Sequence, residues 1–250
     1  MKRYYLFLIL IVFIINVCIF GSSFKLPLTN VQKNNVSQIY DSYKFAVQYG
    51  KTLSLNKKKK SNNKCLDIQS VNIMTIHGLW PYKKNKKIML NNIDENYIKF
   101  NENLIEKLDK YWISFHGKNE LLWSHEYNKH GIFYTKKICA KNHYSYFNKA
   151  LEIYKILKIE FLIEFLIKNF IKENSSIKNL YYLEFDKNKL KELLEMYFKD
   201  NSFYLKCREF ENKHYLKEII FKFDLDFKPL KNSSNVEDCN KAEKIRIPLK

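Results

Sequence analysis

Thr75-Ile76-His77-Gly78-Leu79-Trp80-Pro81 is the stretch on which the fold turns. Its residues read as a strand of period two, with Thr75, His77 and Leu79 on one face and Ile76, Gly78 and Trp80 on the other. Pro81, which has no N–H for a ladder, ends it. His77 therefore projects from a sheet beside a glycine, and a single histidine so placed is by default a core residue satisfied by a hydrogen bond. Outward from this strand, Tyr43 to Tyr49 alternates well enough to be a first strand. Asp94 to Phe115 has helical spacing (Tyr97, Phe100, Leu104, Leu108, Trp112) with Asp94 placed to cap its start, and Tyr144 to Ile171 reads as one longer helical region. Leu180 to Phe185 predicts a strand, Lys187 to Lys199 a helix, and Phe203 to Cys207 and Tyr215 to Phe223 two more strands. Helices interleaved with short strands, without glycine-rich phosphate loops, give an α+β class.

The chain of 250 residues suits one domain with a full core. With 46% hydrophobic residues it buries enough apolar surface to exclude wholesale disorder, and 5 Gly and 4 Pro exclude a collagen-like chain. The net charge of +18 favours polyanionic partners, RNA, DNA or acidic membranes, without choosing among them. Lys57-Lys58-Lys59-Lys60, inside Asn56 to Lys64, reads as a solvated insertion, and Lys83 to Lys87 is a second basic stretch.

Lys2 and Arg3, the apolar run Tyr4 to Phe20 and the small residues Gly21, Ser22 and Ser23 have the layout of a secretory signal peptide. The expected organisation is residues 1–22 as signal, cleaved near 21–23, a loose segment over 23–42, and one domain over 43–250. An uncleaved anchor is the alternative, since the run reaches the lower limit of a membrane span. Either way the rest of the chain is luminal or extracellular. Loss of Cys18 with the signal leaves Cys65, Cys139, Cys207 and Cys239, an even set suited to disulfides in an oxidising compartment, with three pairings open. Asn35, Asn174 and Asn232 begin glycosylation triplets. No CxxC or Cys/His cluster of zinc spacing is present.

A second segment, Trp123-Ser124-His125-Glu126-Tyr127-Asn128-Lys129-His130-Gly131, concentrates chemistry. On a helix Glu126, Lys129 and His130 stand at i, i+3 and i+4 and share one face, bringing together an acid, a cation and an imidazole. The zinc-protease pattern HExxH fails here, because Lys129 occupies the second ligand position. No metal is expected.

Together the segments resemble the two active-site boxes of the ribonuclease T2 family, IHGLWP at Ile76 to Pro81 and H-E-W-x-K-H-G at His125 to Gly131, where Tyr127 stands for the usual Trp. Weaker similarity runs from Phe45-Ala46-Val47-Gln48-Tyr49 to Tyr215-Leu216-Lys217-Glu218-Ile219 and on to Ile245-Arg246-Ile247-Pro248. The resemblance implies a single α+β domain with a central antiparallel β-sheet flanked by helices. It also implies metal-free, cofactor-free endonucleolytic cleavage of single-stranded RNA through a 2′,3′-cyclic phosphate to a 3′-phosphate, by a monomer with no obligate protein partner. The residues suit that reaction independently, because two imidazoles can divide proton acceptance and donation. His130 is assigned as base and His77 as acid, with the reverse order open. Lys129 is to stabilise the phosphorane, Glu126 to hold a proton or orient Lys129 and His130, His125 to bind phosphate, and Trp80 to form a base-stacking wall or simply pack in the core.

The resemblance further implies bridges Cys65 to Cys139 and Cys207 to Cys239. It also departs from the family: Tyr82, Lys83 and Lys84 follow the first box where an acidic residue is common, and Ile132-Phe133 replaces Thr-Cys after the second. No base preference carries over. The expected setting is the secretory pathway, ending outside the cell or in an acidic, lysosome-like vesicle. The alternative function is a catalytically weak, secreted cationic RNA-binding or membrane-active effector on the same fold.

Overall fold

A computed structural model describes residues 40–55, 71–84, 99–138, 143–174, 180–230, 239 and 241–250. The expected signal, the loose segment up to residue 39, the Asn56 to Lys64 insertion, Cys65 and Cys139 lie outside them. The elements are β1 (Ser42–Tyr49), α1 (Gly50–Ser54), β2 (Met74–Tyr82), α2 (Glu102–Tyr111), α3 (Asn119–Glu126), a π-helical turn (Tyr127–Gly131) and α4 (Ile132–Lys137). Then come α5 (Tyr144–Ile156), a 3-10 turn (Ile159–Phe161), α6 (Leu162–Glu173), β3 (Tyr182–Asp186), α7 (Lys187–Phe198), β4 (Phe203–Phe210), β5 (Lys213–Phe223) and β6 (Lys244–Pro248).

The α+β class is observed, and the described residues belong to one compact unit spanning 35–250. The strand order is β2-β1-β5-β6-β3, with β4 paired to β5. The sheet is mixed, because β6 runs parallel to β5 at His214↔Ile245 and Tyr215↔Arg246 while every other strand pair is antiparallel. β2 lies at the sheet edge, and this is why Pro81 does not end it: the strand runs on to Tyr82, with Pro81 opposite Tyr43, since an edge position tolerates a residue without a ladder donor.

Tyr43, Phe45, Val47 and Tyr49 of β1 face the helices, together with Leu216, Ile219, Phe221 and Phe223 of β5 and Met74, Ile76 and Leu79 of β2. The other face carries Lys44, Ala46 and Gln48, and beside them Glu218, Ile220 and Lys222. α5 crosses behind β2 and fastens it with two phenols: Tyr146 donates to the Leu79 carbonyl at 3.1 Å and Tyr154 to that of Met74 at 2.8 Å.

Two helical regions are bounded differently from what their periodicity predicts. Within the helix expected over Asp94 to Phe115, the described residues form α2, and Asn101 caps it, its side-chain oxygen accepting from the Leu104 N–H at 2.9 Å. Asp94 lies outside the described residues. The far end stops at Trp112, whose backbone leaves the helical region (φ −131°, ψ 69°) so that the indole can enter the core against Tyr146 and Phe147. The expected helix over Tyr144 to Ile171 is two helices, α5 and α6, broken at Lys158, which takes a left-handed φ of 53°. That conformation costs about 1–2 kcal/mol for a non-glycine residue. The break lets Tyr154 and Leu157 on one side and Leu162 and Leu166 on the other reach the same core, and the Lys158 carbonyl accepts from the Phe161 N–H at 3.1 Å and from the Tyr197 hydroxyl at 2.7 Å.

Cys207 on β4 is bridged to Cys239, with Cα atoms 5.1 Å apart and a sequence separation of 32. Closing a loop of that length removes denatured-state entropy worth about 3–4 kcal/mol. Replacing both cysteines by Ser is expected to lower the free energy of unfolding by about that amount in urea titrations. A loss below about 1 kcal/mol would mean that the bridge restrains the unfolded chain little.

Candidate active site

The site begins with an irregularity in β2. Val47 pairs with Ile76 and Ala46 with Gly78, so His77 is the extra residue of a β-bulge. The bulge resets the alternation, so the simple strand reading misassigns the faces. Met74, Ile76 and Leu79 point into the core, and His77 turns to the same side as Trp80, the two rings meeting edge-on with centroids 5.0 Å apart. Without the extra residue, three positions along a strand would separate them onto opposite faces. Two buried tryptophans hold the bulge in place: the Trp112 indole N–H donates to the His77 carbonyl at 3.1 Å, and that of Trp123 donates to the Trp112 carbonyl at 2.7 Å.

His77 Nδ1 lies 3.0 Å from Oε1 of Glu218 on β5, a residue 141 positions away. That contact orients the ring and directs its other nitrogen away from the carboxylate. Glu218 is buried, with Lys206 Nζ at 3.7 Å and Lys217 Nζ at 3.8 Å. Burial alone would raise its pKa, but the hydrogen bond and charge of His77 and the two lysines together hold its carboxyl below the usual carboxylate value.

Glu126 ends α3, and Lys129 and His130 lie in the π turn that follows. Such turns widen a helix locally and recur at functional sites. The turn leaves Glu126 and His130 both against Trp80: the indole N–H donates to Glu126 Oε2 at 2.8 Å, and the Trp80 and His130 ring centroids are 5.9 Å apart. Trp80 thus stands between the two histidines with its polar atom engaged by Glu126, and it packs on Ala46, Tyr204 and Ile220. The ring is only partly covered, so it packs at the border of the core and keeps an exposed part.

The electrostatics divide these groups. Burial raises the Glu126 carboxyl to about 7, outweighing the opposing influence of His77, the indole hydrogen bond and Lys129. Burial also drives His130 down to about 3, helped by the positive charges of Lys129, His125 and His77. His130 is therefore a neutral imidazole through the acidic range, and Glu126 carries a proton there. Lys129 is exposed at the rim.

His125 points elsewhere. It is exposed and lines a cleft of about 280 Å³ with His77, Gln48, Ser114, His116 and Lys118. The Ser114 N–H donates to Asn119 Oδ1 at 2.7 Å, and Asn119 Nδ2 donates to Asp109 at 2.7 Å, tying the cleft wall to α2. Glu218, Lys206 and His116 were not singled out from the sequence. No local pattern marks them, because strand pairing alone puts Glu218 beside Gln48 and across from His77.

Gly78 leaves room for this arrangement. A Cβ there would collide with Trp80 Nε1 and Glu126 Oε2. Gly78→Ala is expected to break the Trp80 to Glu126 hydrogen bond, destabilise the fold by about 1–3 kcal/mol and shift the tryptophan emission. Unchanged emission and stability would mean that the site relaxes around the methyl group.

Comparison with known proteins agrees with this fold. The sequence profile of the Ribonuclease T2 family matches residues 40–239, and the chain belongs to that family. Ribonuclease S-3 of Petunia hybrida is 37% identical over 102 residues, covering 36% of this chain and 42% of the relative. A ribonuclease T2-like protein of Aspergillus fumigatus is 34% identical over 108 residues, covering 35% of this chain and 26% of the relative. The matches thus span less than half the length of these curated relatives. Among solved structures, ribonuclease MC1 from bitter gourd seeds superposes with a TM-score of 0.60 at 20% identity, over 82% of this chain and 99% of that one. Variants of that enzyme were solved in complex with 5′-GMP and with 5′-UMP.

Proposed function

We propose that this chain is a metal-independent endoribonuclease of the secretory pathway, acting outside the cell or in an acidic vesicle, that cleaves single-stranded RNA by transphosphorylation. The observation that carries this reading is the pair of imidazoles on either side of Trp80, one oriented by a buried carboxylate and the other kept neutral beside a protonated one. His130 takes the proton of the 2′-hydroxyl as its oxygen attacks the adjacent phosphorus. The bond from phosphorus to the 5′-oxygen breaks, and His77 gives that oxygen a proton. This leaves a 2′,3′-cyclic phosphate and a free 5′-hydroxyl. Water then opens the ring to a 3′-phosphate with the two histidines in exchanged roles.

Lys129, at the rim, faces the charge that gathers on the phosphorane, and the Glu126 proton is available to one of its oxygens. His125 meets a phosphate from the cleft. Because His77 borders that cleft, the departing 3′ segment lies there, while the nucleotide that supplies the 2′-hydroxyl sits on the exposed part of Trp80. That variants of ribonuclease MC1, a protein of the same fold, were solved in complex with nucleotides supports a nucleotide ligand here.

The test is incubation of the oxidised protein with single-stranded RNA and excess EDTA at about pH 5 and about pH 7, beside His77→Ala, with identification of the new ends. Cyclic-phosphate and 3′-phosphate ends that vanish in the variant are expected. No cleavage by folded protein would favour a binding or effector role. The pH profile follows from the two perturbed groups. Activity should hold from about pH 4 to pH 6.5, where His130 is neutral and Glu126 protonated, and decline above about pH 7 as Glu126 loses its proton. A flat profile up to about pH 9 would remove the Glu126 proton from the mechanism.

A further inference from the structure

The face of the sheet that carries His77 and Glu218 continues past them as a strip of cations and aromatic rings. Lys44 on β1 is paired with Trp80 on one side and with Lys222 on the other. Both ammonium groups lie over the ring of Tyr82, Lys44 at 3.7 Å and Lys222 at 5.2 Å from its centroid, and Tyr204 lies 5.6 Å from Lys44. Lys222 is buried and Lys44 half-buried. Like charges directly opposite each other on neighbouring strands repel. Burial first, and then Lys222 and Lys206, hold the Lys44 ammonium down to about 8, while Asp41 partly offsets the effect of burial on Lys222. The two ammonium groups repel each other, and an anion set between them would be attracted to both.

The position of the pair identifies the anion. Lys44 and Lys222 stand four residues along their strands from Gln48 and Glu218, about 13 Å from the row that meets His77. Trp80 lies between, and the cleft lined by His116 and His125 lies on the other side of His77. A strand of RNA whose 3′ segment enters that cleft and whose reacting nucleotide rests on Trp80 runs, upstream, over Tyr82.

We propose that Lys44 and Lys222, above Tyr82, form a phosphate subsite for the stretch of single-stranded RNA that precedes the cleaved linkage. The direction of the strand rests on the ribonuclease reading given above. The pair grips the backbone and reads no base, so its effect is on substrate length and salt dependence.

The test uses two oligodeoxynucleotides, each with one ribonucleotide as the only cleavable position. One starts at that ribonucleotide and the other carries three further nucleotides, with their phosphates, on its 5′ side. The wild type is expected to gain about tenfold or more in kcat/KM from the extension. Lys44→Gln/Lys222→Gln should lose that ratio and Lys44→Arg/Lys222→Arg should keep it, because charge and not packing carries the contact. Should the double Gln variant not fold, Lys44→Gln alone is expected to lose most of the gain.

A parallel titration of an all-deoxy oligonucleotide that cannot be cut, followed by fluorescence anisotropy, should give a slope of log affinity against log salt smaller by about 0.7 in the Gln variant. No gain from the extension in the wild type, or an equal gain in the Gln variant, overturns the subsite. If the wild type binds but does not cleave, the catalytic reading fails, and the salt slope alone decides for or against the lysine pair.

Discussion

His130→Ala is expected to lower kcat/KM on single-stranded RNA by about 10²–10⁴-fold, the range for loss of a positioned general base, while RNA binding falls far less. The physical reason is that His130 is the imidazole the fold keeps without a proton: burial and three neighbouring cationic side chains drive its pKa to about 3. The same depression makes a stability prediction with the opposite sign. Between pH 6.5 and pH 3 the unfolded chain takes up a proton at this histidine that the native chain refuses, so its contribution to stability is lost as pH falls through that window. The variant should therefore lose melting temperature less steeply than the wild type on acidification. A variant that loses cleavage and becomes relatively more acid-resistant has lost a functional group and not a structural one. Equal acid sensitivity would mean that His130 is not held neutral, and retained cleavage would move the base elsewhere.

Glu126→Gln is the second. A buried carboxyl raised from 4.5 to about 7 binds a proton in the native state that the unfolded state has released, so stability falls as pH rises from 4.5 to 7. At 1.36 kcal/mol per pKa unit, the shift amounts to about 3 kcal/mol at pH 8. Gln keeps the shape and an oxygen to accept from Trp80 but never ionises. It is expected to melt close to the wild type near pH 4 and about 6–12 °C higher near pH 8. Cleavage should drop by about 10²-fold, with the decline above about pH 7 absent from what remains. Parallel melting curves at every pH would show that Glu126 ionises as an ordinary surface carboxyl does.

The two predictions draw on residues that a reader of the sequence can find at once, and on environments that reader cannot. Glu126 and His130 stand out because an acid and an imidazole four positions apart must share a face in any helical turn, and the π turn keeps that relation. Their roles as a carboxyl that holds its proton and an imidazole that refuses one follow from burial, which a run of nine letters does not encode. His77 was legible as a histidine projecting from a strand. Its facing was not, because the bulge arises from how β2 pairs with β1, and a one-residue shift of register reverses every side chain beyond it. The same kind of limit explains the helices. Periodicity located α2, α5 and α6 well, but Asn101 rather than Asp94 caps the first, and the left-handed turn at Lys158 divides the other two without any glycine or proline to announce it.

Sequence alone therefore determined the α+β class and the family, and it supplied the side chains that the proposed mechanism uses, since each rests on local spacing and on short runs of residue types. Tertiary structure decided how those side chains act. It turned His77 toward Trp80, brought Glu218 from 141 residues away to orient it, withdrew Glu126 and His130 from water enough to favour the neutral form of each, and set Lys44 against Lys222 above Tyr82. The reason is the range of the forces involved. Strand and helix periods are set by neighbours a few residues apart, whereas desolvation and Coulomb interaction depend on what packs within a few ångströms in space, and the chain settles that only when its distant strands pair.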